Sequence, residues 1–377
     1  MESQVTKKSL IGLTIEEIQQ ELKAFNQPAF HASQIYNWMH YKNADTFAEM
    51  TDLSKGFRET LSASFTLKTL QLAVHQKSSD GTQKFLWELS DGRRIESVMI
   101  PVPGRKPNEG RTTVCISSQV GCALACDFCA TGEMGFIRNL TPGEMVEQIL
   151  QVQKITQQKV SNVVFMGMGE PFLNYNRVIQ ACQILADDHG VAIASKKITI
   201  STSGIIPTIY RFTDEKQPYS LAISLHSPTQ ELREQMMPIA ERFPLDQLIE
   251  SAKYYTKAYK RKRISFEYIL LDGVNDSPAH SKQLIKLLSP IRCKLNVIPC
   301  NPNDLGYHAP AQNKIDEFMA ILAQGPFTLT LRQNRGQDIT AACGQLYAQT
   351  AKADHPRFMV ERSSPKLPTI KDSEQSP

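Results

Sequence analysis

Apolar positions in the first sixty residues recur every three to four places, a helical period. Thr14 with Glu17 forms a capping box ahead of a helix from about Thr14 to Phe25. A second helix is expected over Ala32–Tyr41, carrying Ile35, Tyr36 and Trp38, and a third near Asp52–Leu61. The period then changes. Phe65–Val74, Lys84–Leu89 and Arg93–Pro101 read as strands, and Asp91-Gly92 supplies a tight hairpin turn. Val102–Arg111 is rich in Pro, Gly and charge, which predicts a loop or linker.

From Thr112 a β-then-α rhythm begins. Strands are expected at 112–117, 161–167, 196–201, 219–225, 264–271 and 293–299, with helices between them. The clearest helix starts at Thr141, with Pro142 at its first position and Glu144 completing a capping box. It turns Met145, Ile149 and Val152 to one face. Another runs from about Leu245 to Tyr259. A last strand (Phe327–Arg332) and a helix near Asp338–Thr350 follow. Six βα units imply an α/β fold with a parallel sheet, doubly wound or curled into a partial barrel. The expected division is an N-terminal helical accessory domain (1–75), a β-hairpin and linker (76–111), a catalytic domain (112–350) and a disordered tail (351–377) rich in Ser, Pro and Lys.

Composition narrows this picture only a little. The chain has 377 residues, 41% hydrophobic and 21% charged, with a net charge of +4. That mild basicity permits a nucleic-acid partner without demanding one. The N-terminal helices, with aromatic and basic residues interleaved, fit an RNA-docking module or a purely structural domain alike. Lys260-Arg-Lys-Arg263 fits a phosphate contact or a solvated helix end. No apolar run is long enough to cross a bilayer and no signal-peptide core precedes the first helix, so a cytoplasmic protein without a membrane partner is expected. In that compartment eight cysteines point to metal binding or catalysis rather than a structural disulfide framework.

Three of those cysteines fall within one loop, Cys122-Ala-Leu-Ala-Cys126-Asp-Phe-Cys129. Their thiolates can converge on one centre, and thiolate suits an iron–sulfur cluster or zinc. A cluster held by three cysteines leaves one iron open to substrate or cofactor. A zinc site with a distant fourth ligand, disulfide pieces and inert thiols are the other readings. Sites in such folds form at the carboxyl ends of strands. Read in that light, the strand ends carry Met166-Gly-Met-Gly-Glu170-Pro171, Ser201-Thr-Ser-Gly204, Ser224-Leu-His226 and Pro299-Cys-Asn301-Pro302. Singly these are turns, caps and a loop histidine. Together with the cysteine loop they outline a pocket for a polar small molecule against a metal centre.

The Cys-x3-Cys-x-Phe-Cys loop resembles that of the radical S-adenosylmethionine (SAM) enzymes, and Met-Gly-Met-Gly-Glu-Pro resembles their SAM-binding segment. Four further stretches narrow the resemblance: 114–122, Ile200-Ser-Thr-Ser-Gly204, Ile223-Ser-Leu-His-Ser-Pro228 and Asp338-Ile-Thr-Ala-Ala-Cys343-Gly-Gln-Leu346. With these, nearly the whole chain is similar to the adenosine C2 RNA methyltransferases. The resemblance implies a partial (β/α)6 barrel of the radical SAM type with an N-terminal helical domain and a β-hairpin extension. It implies one [4Fe-4S] cluster on Cys122, Cys126 and Cys129, and SAM contacts at Gly169, Glu170, Ser201, Ser224, Leu225, His226 and Asn301. Its substrates would be an adenosine of 23S rRNA in the peptidyl-transferase centre and the adenosine 3′ of the anticodon in some tRNAs.

The chemistry it implies uses two SAM molecules per product. The first methylates Cys343. The second yields a 5′-deoxyadenosyl radical that takes a hydrogen from the S-methyl group, and the resulting methylene adds to C2. Glu96 matches the family's proton acceptor. Cys115 then attacks Cys343, forming a disulfide bond and releasing the product. An electron donor such as flavodoxin or ferredoxin and a monomeric enzyme are also expected. Two rivals remain in view. A sister enzyme methylates C8 of the same rRNA adenosine, although Val120, Pro171 and Ser203 resemble the C2 enzyme. A zinc-stabilised RNA-binding protein without catalysis would leave the rim residues unexplained. Without the resemblance, Glu96 reads as a solvated strand carboxylate, and Cys115 and Cys343 as small buried hydrophobes.

Overall fold

The computed structural model describes residues 7–104, 110–301 and 305–346; the expected tail at 351–377 lies outside them. A two-residue strand, β1 (Lys8–Ser9), leads into α1 (Ile15–Lys23). The capping box forms: Thr14 Oγ1 accepts the Glu17 amide at 3.2 Å, and Glu17 Oε2 accepts the Thr14 amide at 2.8 Å. α2 (Phe30–His40) and α3 (Lys55–Ser64) follow, and β2 (Phe65–Thr66) pairs in parallel with β1. The strand expected over Phe65–Val74 is broken before β3 (Leu70–Lys77). The break lets the Thr69 amide donate to the buried Glu147 carboxylate at 2.6 Å.

β4 (Gln83–Leu89) and β5 (Arg94–Val102) complete an antiparallel ribbon with β3, and Gly92, at φ +76°, makes the turn between them. This ribbon continues the main sheet, because β5 pairs antiparallel with β6 (Arg111–Cys115). Next come β7 (Gln119–Gly121), α4 (Ala130–Glu133), β8 (Phe136–Asn139) and α5 (Pro142–Thr156). The βα alternation then runs β9 (Asn162–Phe165), α6 (Tyr175–Ala186), β10 (Ile198–Thr202), α7 (Ile206–Asp214), β11 (Ser220–Ser224), α8 (Gln230–Met236), α9 (Ile239–Arg242), α10 (Leu245–Ala258), β12 (Ile264–Leu270), α11 (Pro278–Leu288), β13 (Cys293–Pro299), α12 (Gln312–Leu322) and β14 (Thr328–Leu331).

Ten strands share one sheet, in the order β14-β13-β12-β11-β10-β9-β6-β5-β4-β3. Pairing is parallel from β14 to β6 and antiparallel from β6 to β3. The edge strands β3 and β14 do not pair with each other, so the barrel stays open. Met145, Ile149 and Val152 are fully buried, each stabilising the fold by about 1.5–3 kcal/mol as an upper range.

The N-terminal helices rest on α5 and α6 and share the main hydrophobic core. Asn43 donates to the Leu150 carbonyl at 2.8 Å and Gln180 to the Gly12 carbonyl at 3.0 Å. The backbones touch here: a Cβ on Gly12, at φ +94°, would lie 2.1 Å from the Gly143 nitrogen. The helix expected near Asp338–Thr350 does not form among the described residues. A single 3-10 turn, Gln337–Ile339, stands between Gly336 (φ 64°) and Thr340 (φ 50°), with Gly344 at φ 80° beyond. Left-handed residues at that density interrupt any right-handed helix.

Candidate active site

The cysteine loop is held open by an element the sequence pattern did not reveal. β7 and β8 pair as a short ribbon, and the loop lies between them. Gly121 (φ 72°) lets the strands close: a Cβ there would lie 1.8 Å from the Gly135 carbonyl oxygen. The Cys122 amide donates to that same oxygen at 3.0 Å. Asp127 donates through its amide to Met236 on α8 at 3.0 Å, and Cys129 to Cys126 at 3.1 Å. Cys122, Cys126 and Cys129 stand close enough to disfavour one another's charge, and burial, the larger cause, raises all three thiols; Cys122 is pushed up to about 12.

The rim residues gather as expected, all at the carboxyl ends of parallel strands. Gly169, at φ +97°, follows β9, and a Cβ on it would lie 2.4 Å from the Gln119 Cβ. Gln119 accepts the Glu170 amide at 2.8 Å through Oε1 and donates to Asn139 at 2.8 Å through Nε2. The buried Glu170 carboxylate accepts the Phe172 amide at 3.0 Å and the Ser203 amide at 2.8 Å, tying this segment to the end of β10. Burial raises its pKa, partly offset by these bonds. Ser201 is buried on β10, and Ser224 closes β11. The Leu225 side chain is fully buried. Its amide donates to Glu267 and its carbonyl accepts from Arg233, so both backbone groups are used within the protein. His226 adopts φ +56° and accepts the Ile269 amide at Nδ1, 3.0 Å. Burial, then Arg233, lowers its pKa to about 3, so the ring is neutral with its proton on Nε2. Phe128, the aromatic before the last cysteine, meets this ring edge-on at 4.8 Å. Asn301 follows β13 and accepts from Gln337 at 3.1 Å.

Cys115 and Cys343 also come near the loop. Cys115 ends β6, and the segment carrying Cys343 is fastened beside the cysteine loop: Ala130 donates to the Gly344 carbonyl at 2.8 Å and Thr131 to the Leu346 carbonyl at 2.6 Å. Cys115 and Cys343 interact electrostatically, as do Cys343 and Cys129. Burial, then Cys343, pushes Cys115 up to about 12. Arg332 is held charged most of all by Cys343, then by Glu267 and Cys115. All eight cysteines are free thiols, so Cys115 and Cys343 are not joined in a disulfide. Glu96 is 2% exposed on β5 and paired with Lys84 at 3.4 Å, which overturns its reading as a solvated strand carboxylate. The basic run 260–263 lies at the amino end of β12, the rim opposite the cysteines. There Lys262 donates to the Gln217 and Tyr219 carbonyls at 2.9 and 3.1 Å.

Arg233 is the site residue that sequence reasoning missed. It is fully buried on α8 and donates to Leu225 O at 3.2 Å, Ser203 O at 2.6 Å and Ser224 O at 3.3 Å. Its Nη1 is buried without a partner, and the guanidinium feels the Cys126 sulfur. A single arginine on a seven-residue helix carries no periodic signal.

These residues fit a cluster with SAM on its open iron. The donor set is three soft thiols that burial keeps neutral until a cation compensates them. The orphaned Nη1 of Arg233, a buried charged group within electrostatic reach of Cys126, fits an anionic group of the size of a carboxylate. Among the described residues no three His, Cys, Asp or Glu side chains form a single-ion site. A cluster does not require one, because each thiolate binds its own iron.

An open parallel barrel with this three-cysteine loop at its carboxyl rim defines a radical SAM enzyme. A family model described as the radical SAM superfamily matches residues 116–285, and one described as the ribosomal RNA large subunit methyltransferase N-terminal domain matches residues 8–67. A probable dual-specificity RNA methyltransferase RlmN of Geobacillus thermodenitrificans is 43% identical over 92% of this chain and 94% of its own. The dual-specificity RNA methyltransferase RlmN of Psychrobacter arcticus is 39% identical over 98% of this chain and 93% of its own. The crystal structure of a radical SAM methyltransferase from Sphaerobacter thermophilus superposes with a TM-score of 0.85 at 39% identity, covering 90% of this chain and 99% of that one. The chain belongs to the RlmN family of dual-specificity RNA methyltransferases. It is therefore a SAM-dependent RNA methyltransferase with a [4Fe-4S] cluster, which sets the non-catalytic zinc protein aside. No described helix is long and apolar enough to cross a membrane.

Proposed function

We propose that this enzyme methylates C2 of an adenosine in 23S rRNA and C2 of the adenosine 3′ of the anticodon in some tRNAs. Cys122, Cys126 and Cys129 would hold the cluster. Gly169, Glu170, Ser201, Ser224, Leu225, His226 and Asn301 would shape the SAM pocket, Leu225 by packing rather than through its backbone. Arg233 Nη1 would take the SAM carboxylate. When bound, the cluster and SAM supply a methyl group in one encounter and hydrogen abstraction in the next.

The chain's own residues do the rest. The Cys343 sulfur gives up its proton and accepts the methyl group by displacement. After hydrogen is removed from that S-methyl group, its carbon bonds to C2 and RNA is tied to Cys343. Glu96 accepts the C2 proton, and the unpaired electron left on the adduct passes to a one-electron acceptor of the flavodoxin or ferredoxin class, which leaves a closed-shell thioether between C2 and Cys343. The Cys115 sulfur then attacks the Cys343 sulfur: an S–S bond forms, the C–S bond breaks, and the departing carbon is protonated to a methyl group. A thiol reductant restores the pair, and an electron donor of the flavodoxin or ferredoxin class serves the cluster. The N-terminal helical domain would dock the RNA.

The observation that carries this reading is that Cys115 and Cys343, distant in sequence, come within electrostatic reach of each other beside the three-cysteine loop. The test is nuclease digestion and mass spectrometry of rRNA and tRNA from a strain lacking the gene. Loss of 2-methyladenosine from both RNAs is expected. Loss of 8-methyladenosine instead, or no change, overturns the reading.

A further inference from the structure

Glu96 does not stand alone at the site. In the antiparallel register Lys84 lies opposite Val98, and Val98 opposite Cys115. Partners across strands share a face, as do residues two apart along a strand. Lys84, Glu96 and Cys115 therefore all project to one side of the sheet. Lys84 Nζ lies 3.4 Å from Glu96 Oε1, and the two side chains are 5% and 3% exposed. The same Nζ donates to the Thr340 carbonyl at 3.3 Å, three residues before Cys343. An ammonium buried this deeply needs both an anion and acceptors.

We propose that Lys84 is a positioning residue for methyl transfer: one ammonium holds the Glu96 carboxylate and the Cys343 segment at a fixed separation on the same sheet face. The inference rests on the roles of Glu96 and Cys343 given above. Lys84 aims the Glu96 oxygen, which receives the C2 proton, at the strand end where Cys343 presents its carbon. The segment has other anchors at its entry. The Gly336 amide donates to Asp80 at 3.0 Å and the Ser79 amide to Asp338 at 3.1 Å. Removal of the Lys84 charge should thus misplace the acceptor without undocking the segment.

The test compares Lys84→Met, Lys84→Arg and Glu96→Gln in the full chain with its cluster reconstituted anaerobically. Three readouts are taken: methyladenosine formed, RNA–protein adduct on denaturing gels, and the methyl content of the Cys343 peptide by mass spectrometry. Lys84→Met and Glu96→Gln are both expected to keep Cys343 methylated, to lose about a hundredfold in product formation and to accumulate adduct. Lys84→Arg should restore product to within about tenfold, because it returns the charge. A Lys84→Met enzyme with wild-type product and adduct levels overturns the inference. So does a Lys84→Met enzyme that loses Cys343 methylation and is not rescued by arginine, since that marks a structural role only. A Glu96→Gln enzyme that forms product normally overturns the role of Glu96 itself, whichever way the lysine variants behave.

Discussion

Replacing Arg233 by methionine separates two jobs that one side chain performs. Three of its hydrogen bonds hold the carbonyls of Leu225, Ser203 and Ser224, gathering the ends of β10 and β11. Nη1, which carries the remaining two N–H groups, is buried with no partner. Burial, offset by Cys126, lowers its pKa to about 10, so it is charged at neutral pH. A hydrogen bond to a charged group contributes roughly 1.5–3 kcal/mol, but methionine also removes the cost of burying that charge, so the net loss of fold stability should be about 2–4 kcal/mol. The effect on SAM should be separate. Deleting one side of a buried charge pair costs about 2–5 kcal/mol, which weakens Kd by about thirtyfold to several thousandfold. Urea unfolding measures the first quantity. Equilibrium dialysis of labelled SAM against anaerobically reconstituted enzyme measures the second. Arg233→Lys should fall between, because one ammonium cannot replace five divergent donors. A Lys or Met variant that binds SAM within about threefold of wild type would refute the carboxylate assignment.

Other consequences follow from the same geometry. Cys115→Ala should leave RNA covalently attached to Cys343, seen as a slow, nuclease-sensitive band on denaturing gels; free methylated product at the wild-type rate would remove the resolving role from Cys115. Gly169→Ala should weaken SAM binding by about tenfold or more and lower the melting temperature, since any Cβ at φ +97° drives into Gln119. His40 is buried with neither ring nitrogen paired, and burial lowers its pKa to about 3. The unfolded chain binds a proton below about pH 6.5 that the folded chain refuses, so the contribution is intact above that pH and is lost as pH falls towards 3. The protein should be about 2 kcal/mol less stable at pH 5 than at pH 7 from this residue, and His40→Phe should flatten that slope in urea titrations.

Much of the fold was legible because it is written locally. Both capping boxes, at Thr14 and Thr141, formed as the spacing required, and the six expected parallel strands all appear. The three-cysteine loop and the strand-end motifs were equally plain, since each is a contiguous run of unusual residues. The C-terminal helix was misread because periodicity carries no penalty for left-handed backbone, which Gly336, Thr340 and Gly344 adopt. Arg233 and Lys84 were silent because a lone cation in a short element looks like surface until its neighbours are known.

By itself the sequence determined the βα rhythm, the three-cysteine loop and the family resemblance, because those depend on residue type and on near neighbours. Only the tertiary structure decided that Glu96 is buried against Lys84 rather than solvated, that Arg233 buries an unpaired donor within electrostatic reach of Cys126, and that Cys115 and Cys343 come within electrostatic reach of each other. These facts depend on sheet register and on where a loop returns in space. Both are set by the summed packing of distant segments, which no short stretch of chain contains.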